Sequence, residues 1–192
     1  IERYKIKWDR NTIVNTDDDL ADRVFQAAVD LLAKAGAYCP DTNRVMEFSR
    51  EEILMSAEQA PKAAFFGEGR EANTMYGRDV DEDSIPWVHV GGGIYTTDER
   101  IYVDTVEGMA SINIVDSVSV PSILHIRGKD ARARSPQELL AAIKTVILAR
   151  EGIRRSGRAG LPIINGITAA PNSVSMIAAA SPQFGLCPSD GF

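Results

Sequence analysis

One stretch limits this chain's fold more than any other. Residues 117–126 form an apolar, β-branched run that predicts a strand. Ser135-Pro136-Gln137-Glu138 then opens a helix, with serine at the N-cap, proline at the first helical position and glutamate placed to reach back. Leu139, Ala142, Ile143, Val146 and Ala149 recur behind it at helical spacing. Arg154 and Arg155 put positive charge in the last turn, and Gly157 is the stop. Residues 161–167 are a second apolar run. A crossover of this length joins parallel strands, because a hairpin needs only a short loop. Residues 171–180 read as the next helix and Leu186-Cys187 as the next strand, so the unit repeats, as in a parallel α/β sheet or barrel.

Upstream the rhythm differs. Tyr4, Ile6 and Trp8 alternate weakly, as in an edge strand or an arm. Thr16-Asp17-Asp18-Asp19 suits a helix N-terminus, and Leu20, Val24, Ala27, Ala28, Leu31 and Ala35 follow at helical spacing up to Gly36. Ser49 and Glu52 form a capping box for a second helix that reaches about Gln59, with Pro61 beyond it. Two short apolar segments around Gly67 and Gly69 predict a hairpin within 63–76. Residues 87–90 read as a strand running into Gly91-Gly92-Gly93.

A complete eightfold barrel takes about 250 residues. This chain has 192. The expectation is an α/β chain carrying only the N-terminal portion of a barrel: helices and a small β hairpin over 1–115, then the first βα units over 116–192. A compact smaller α/β fold is the other possibility. The net charge of −6 lacks the electrostatic footprint of a nucleic-acid binder. No apolar run approaches the ~18 residues of a membrane span. No signal peptide is legible, and the first residue is Ile1 rather than Met, which leaves a preceding segment open. Cys39 and Cys187 form no disulfide framework or CxxC, which makes the cytoplasm the expected compartment.

Parallel α/β folds bind ligands at the carboxyl ends of their strands. Two places qualify: Arg127-Gly128-Lys129 after the first run, and Asn165-Gly166-Ile167-Thr168 at the end of the second. Arg127 and Lys129 suit an anionic group, while the Asn165 amide and Thr168 hydroxyl suit the orientation of a substrate. The competing reading is a solvated loop and a plain Asn-Gly turn. His125 is a general base or metal ligand on one reading, and a core or barrel-interior histidine with its hydrogen bonds satisfied on the other. His89 precedes three glycines, but no helix follows them, so they serve close backbone approach or positive φ rather than a phosphate. Asp79, Asp81, Glu82 and Asp83 lack the spacing, glycine and closing glutamate of a calcium loop, and no metal set is legible. Asp98-Glu99 is explained by N-capping. No helix begins directly after Cys39 to depress its pKa, so it reads as structural.

Four of these stretches, in order, resemble the monomethylamine methyltransferases of methylotrophic methanogens. The first is 31–44, with Gly36, Tyr38-Cys39, Asp41-Thr42 and Arg44. Ser49-Arg50-Glu51-Glu52-Ile53 is the second. Arg127-Gly128-Lys129, followed by Ser135-Pro136 and Glu138-Leu139-Leu140-Ala141-Ala142, is the third, and Gly157-Arg158-Ala159-Gly160 the fourth. Order and spacing hold over roughly 20–180.

The resemblance implies a TIM-type (β/α)8 barrel preceded by N-terminal elements, in chains that extend well beyond Phe192. It implies an enzyme that moves a methyl group from a methylated amine to the cob(I)alamin of a separate corrinoid protein, with no tightly bound cofactor of its own. It also implies a homo-oligomer. In the family, the strand after Gly-Arg-x-Gly carries pyrrolysine near its end, and its imine ring binds the amine. The matching window is Ile163-Ile164-Asn165-Gly166, with Ile164 or Asn165 nearest, and it holds neither an electrophile nor a lysine. On that alignment the expected donor is a quaternary amine or betaine, whose nitrogen has no lone pair to add to an imine and is already an activated leaving group. Asn165 and Thr168 are then the expected catalytic residues, and Arg127, Lys129 and His125 the expected substrate-binding ones. The alternative is a non-catalytic homologue that binds a small methylated ligand or the corrinoid protein. An aldolase-like barrel is a third option, but no lysine lies inside an expected strand to form its Schiff base.

Overall fold

The computed structural model describes residues 1–79, 82–91, 93–164, 173–181, 183 and 185–191. The chain divides into two compact units, Ile1–Lys62 and, beyond it, Ala63–Arg78 together with the chain from Glu82 onward. No helix among the described residues is long and apolar enough to cross a membrane.

The first unit is built on capped helices. A 3-10 turn at Glu2–Tyr4 stands where the alternation suggested an edge strand or an arm. Helix α1 (Asp18–Ala35) starts where the Asp17 carboxylate accepts the Leu20 N–H at 3.0 Å, and it stops at Gly36, which has φ 66°. Strands β1 (Ala37–Cys39) and β2 (Arg44–Met46) form an antiparallel hairpin with Asn43 in the left-handed region. Helix α2 (Arg50–Glu58) starts where Ser49 Oγ accepts the Glu52 N–H at 3.1 Å, as the capping pattern predicts. Asp30 on α1 accepts from both the Tyr4 hydroxyl and the Arg50 guanidinium, which ties the three pieces together.

In the second unit, strands β3 (Ala63–Phe66) and β4 (Asn73–Tyr76) form the expected antiparallel hairpin. Then come β5 (His89–Gly91), β6 (Tyr95–Thr96) and helix α3 (Glu99–Ala110), capped by Asp98, whose Oδ1 accepts from Arg100 and Ile101. Strands β7 (Ser117–Ser119), β8 (Ser122–Ile123), β9 (His125–Ile126) and β10 (Lys129–Asp130) follow, then helix α4 (Pro136–Arg155) and helix α5 (Ser173–Ala179). β5 pairs in parallel with β7, Val118 bridges in parallel to Ile163, and Ile164 to Gly191. The parallel positions therefore lie side by side in sequence order, with α3, α4 and α5 between successive ones. The βα alternation already begins at β5: the 87–90 run and the Asp98 cap belong to it, although their sequence does not show that they are joined.

One core gathers these elements. Tyr102, Val106 and Ala110 of α3 meet Ala142, Val146, Ala149 and Ile153 of α4, with Val118, Ile123, Ile126 and Ile163 from the strands. Burying a side chain of this size contributes roughly 1.5–3 kcal/mol. The helices approach closely because Gly152 has no side chain: a Cβ there would stand 2.8 Å from the Val103 carbonyl and from Val106 Cβ.

Two expected strands differ from the structure. The 117–126 run is not one strand. Pro121 has no N–H for the ladder, and the chain resumes at β8, which pairs in parallel with β6. It then folds back on itself. Arg127 and Gly128, at φ 52° and 74°, form a two-residue turn between Ile126 and Lys129, and both positive φ values suit a tight hairpin. The strand expected at Leu186-Cys187 is also absent, and the parallel bridge falls at Gly191 instead. Asp190 is the cause: its carboxylate accepts the Ile163 N–H at 2.8 Å and the Cys187 N–H at 2.6 Å, which curls the chain before it can pair.

Candidate functional site

Side chains alternate across an extended strand, so the parallel positions have two faces. Val118 and Ile163 belong to the buried core under the helices, and Val90 packs against it. The other face carries Trp87, His89 and Gly91 on one strand, Ser117 and Ser119 on its neighbour, and Ile164 on the third. Its amino end is closed by the β3–β4 hairpin. Phe66 meets Trp87 edge-on, ring centroids 5.7 Å apart, and a Cβ at Gly191 would touch Phe66 Cε1 at 3.1 Å and Ile164 Cγ1 at 3.3 Å.

A polar group occupies the middle of this face. Ser117 is fully buried. Its Oγ accepts the Trp87 indole N–H at 2.7 Å and lies 2.8 Å from His89 Nδ1. A serine oxygen has two acceptor lone pairs, so the indole leaves the Ser117–His89 bond free to run either way; with the hydroxyl donating to Nδ1, the neutral ring carries its proton on Nε2. Partial burial also pushes the His89 pKa below the usual histidine value. At the carboxyl end of the same face, Gly91 stands opposite Ser119.

The β9–β10 hairpin lies beyond the carboxyl end of β7 and β8. It collects three of the expected site residues. His125 Nε2 is 2.9 Å from Asp130 Oδ1 and the side chain is 43% exposed, so the core-histidine reading is overturned: the hairpin takes this residue out of the apolar strand. Arg127 at the turn and Lys129 on β10 are exposed, and neither side chain has an ion-pair partner among the described residues. Arg132 binds Asp130 at 2.9 Å and, with a smaller contribution from His125, holds its carboxyl below the ordinary aspartate value. Asn165 and Thr168 lie outside the described residues.

Gly157-Arg158-Ala159-Gly160 serves the opposite end. Gly157 has φ 78°. Arg158 grips Glu71 of the β3–β4 connection through Nε at 2.9 Å and Nη2 at 2.6 Å. The same guanidinium donates to the carbonyls of Ala110, Ile112 and Val115 at the end of α3 and just beyond it. A Cβ on Gly160 would collide with the Glu68 carbonyl, which accepts no such approach. The motif is a clasp at the amino end.

The His89–Ser117–Ser119 group was not legible as a site in the sequence. Its one signal is small or polar residues on alternate positions of two β-branched runs, which also fits a solvated strand. In the first unit, Cys39 is a free thiol beside Thr42. Its thiol pKa is lowered, first by the Thr42 hydroxyl and then by the Thr42 amide, with no helix involved. Cavities do not select the site. One of about 500 Å³ runs along α1 beside Trp8 and Phe25, and one of about 450 Å³ lies at the amino end between β4, Trp87 and Asp116. No group of three or more His, Cys, Asp or Glu that could hold a metal occurs among the described residues.

Comparison with known proteins identifies the family. The family model for monomethylamine methyltransferase MtmB matches residues 1–191. Monomethylamine methyltransferase MtmB1 of Methanosarcina acetivorans is 29% identical over 162 residues, covering 84% of this chain and 35% of its own length. MtmB of Methanosarcina mazei is 29% identical over the same coverage. The crystal structure of the Methanosarcina barkeri monomethylamine methyltransferase superposes with a TM-score of 0.88 at 25% identity, over 98% of this chain and 41% of that one. The chain thus spans about a third of the length of the curated relatives it matches.

Proposed function

The chain belongs to the monomethylamine methyltransferase family, and from that premise we propose that it forms the opening βα units of a TIM-type barrel that moves a methyl group from a methylated amine to the cob(I)alamin of a corrinoid protein. One observation carries the barrel reading. The parallel positions follow in sequence order with the helices packed on one face. A doubly wound sheet reverses its order and uses both faces, whereas a barrel keeps one order and one helical face. The face opposite the helices is then the barrel interior, and its carboxyl end is where substrate and corrinoid meet. The cobalt(I) electron pair attacks the methyl carbon, the C–N bond breaks, and its pair leaves on nitrogen, giving a neutral amine and methylcob(III)alamin. Such a displacement asks the protein mainly for positioning and electrostatics. Arg127 and Lys129, exposed on the carboxyl side, are placed to meet an anionic group of substrate or corrinoid, with His125 beside them. Asn165 and Thr168 follow the third parallel position and are assigned to orienting the substrate. The working enzyme is a homo-oligomer in the cytoplasm.

The donor follows from how the pyrrolysine position is matched. Placed at Ile164 or Asn165, it leaves no imine, and a quaternary amine or betaine is the donor. The test is a panel of monomethylamine, tetramethylammonium and glycine betaine mixed with the protein and cob(I)alamin, with methylcobalamin read by absorbance. Transfer from a quaternary donor supports this reading. Transfer from monomethylamine alone removes the quaternary assignment and leaves the methyl transfer. Ligand binding without transfer from any donor would establish the non-catalytic alternative.

A further inference from the structure

We propose that Gly91, His89 and Ser119 form a notch that takes an acceptor oxygen, carboxylate or amide, of a molecule bound at the carboxyl ends of β5 and β7. Gly91 is the last residue of β5 and Ser119 the last of β7, opposite one another in the parallel ladder. The space where a side chain at Gly91 would stand is bounded by Ser119 Cβ at 3.0 Å, Ser119 Oγ at 3.6 Å and His89 Nε2 at 3.9 Å. Two polar groups therefore converge on a spot that any Cβ would crowd. Ser117 sets the chemistry of one of them: with its hydroxyl donating to His89 Nδ1 across 2.8 Å and its oxygen accepting from Trp87 at 2.7 Å, Nε2 carries the proton and donates. The Ser119 hydroxyl has no partner among the described hydrogen bonds and supplies a second donor. Two neutral donors receive an oxygen without repelling a permanent cation attached to the same molecule, as an arginine or lysine would. Barrel interiors are usually filled with bulky branched side chains, and here three small or polar residues take their place.

As to what binds there, this inference rests on the methyl-transfer reading. Two sources of such an oxygen meet at that end of the sheet: the carboxylate of a betaine-type donor, and the amide side chains on the corrinoid rim. Methylamine and tetramethylammonium have no atom for the notch.

The test is calorimetric titration of the protein with glycine betaine, tetramethylammonium and hydroxocobalamin, in the wild type and in His89→Ala, His89→Gln, Gly91→Ala and Ser119→Ala. Losing a hydrogen bond to a charged oxygen weakens binding by about tenfold or more. The expected result is that loss for glycine betaine in His89→Ala and Gly91→Ala, with His89→Gln retaining most of the affinity through its amide N–H and tetramethylammonium unaffected. The same pattern with hydroxocobalamin in place of betaine assigns the notch to the corrinoid. Ser119→Ala reads the second donor if Gly91→Ala does not fold. Unchanged affinities for both oxygen-bearing ligands in all variants, or no binding of either by the wild type, overturn the proposal. Methyl transfer from the oxygen-free amines, measured alongside, separates the two ideas. Transfer with silent notch variants removes the notch alone, and notch-dependent binding without transfer from any donor removes the methyl-transfer reading alone.

Discussion

Single side chains set what the polar face can do. The His89 imidazole is less basic than an ordinary histidine because burial penalises its charged form. The folded protein thus binds this proton less tightly than the unfolded chain, whose histidine titrates near ~6.5. The stability His89 contributes is present above the unfolded value and is lost as pH falls through the lower folded one. An NMR titration of the His89 ring is expected to give a midpoint below ~6.5 and a neutral ring protonated on Nε2. A midpoint at or above that value would contradict the burial of the ring, and a neutral ring protonated on Nδ1 would contradict donation from Ser117. This chemistry was hidden in the sequence for a simple reason. His89 and Ser117 are 28 residues apart, and only the parallel register brings them to 2.8 Å. Arg127 and Lys129 were legible as the pair beyond the 117–126 run because they follow it directly in sequence, whereas the positive-φ turn that holds them was not. The core reading of His125 failed because it sits inside an apolar run whose later part turns out to be hairpin.

At the level of elements, local signals did well where a helix begins or ends. Asp17, Ser49 and Asp98 all accept the amide bonds that their positions predict. At Ser135 the pattern held but the bonding differed: its hydroxyl donates to the Arg132 carbonyl, and the buried Glu138 carboxylate reaches back to the Arg134 N–H at 2.6 Å. Strand extents were less legible, since Pro121 and the carboxylate of Asp190 interrupt runs that propensity would continue. The Gly-Arg-x-Gly clasp ties the β3–β4 connection to the end of α3 and the chain just beyond it through one guanidinium whose side chain is only 17% exposed. Removing one partner of such a buried pair costs on the order of 3–5 kcal/mol. Arg158→Ala is therefore expected to lower the unfolding free energy, read from urea denaturation, by that amount, and Arg158→Lys to recover only part of it, because a single ammonium cannot span Glu71 and three carbonyls. A Glu71→Ala, Arg158→Ala double variant as destabilised as the two singles added together would show that the pair does not act as a unit.

For the whole molecule, the order of the parallel positions matters most. It needs the register of β5, β7, Ile163 and Gly191, which no local window contains, although the strand–helix–strand spacing after residue 117 already left room for parallel pairing. On this account the carboxyl end of that set is the working face, with the basic β9–β10 hairpin beside it and the clasp at the far end. The most direct measurement is the rate of methylcobalamin formation on the corrinoid protein, held below saturation, for wild type and for Arg127→Ala, Lys129→Ala. Losing two exposed charges that meet an anionic partner is expected to slow the reaction by about tenfold and flatten its dependence on salt, with the melting temperature unchanged. An equal rate and an equal salt dependence in the two proteins would contradict the assignment of the carboxyl end as the place where the methyl group is passed.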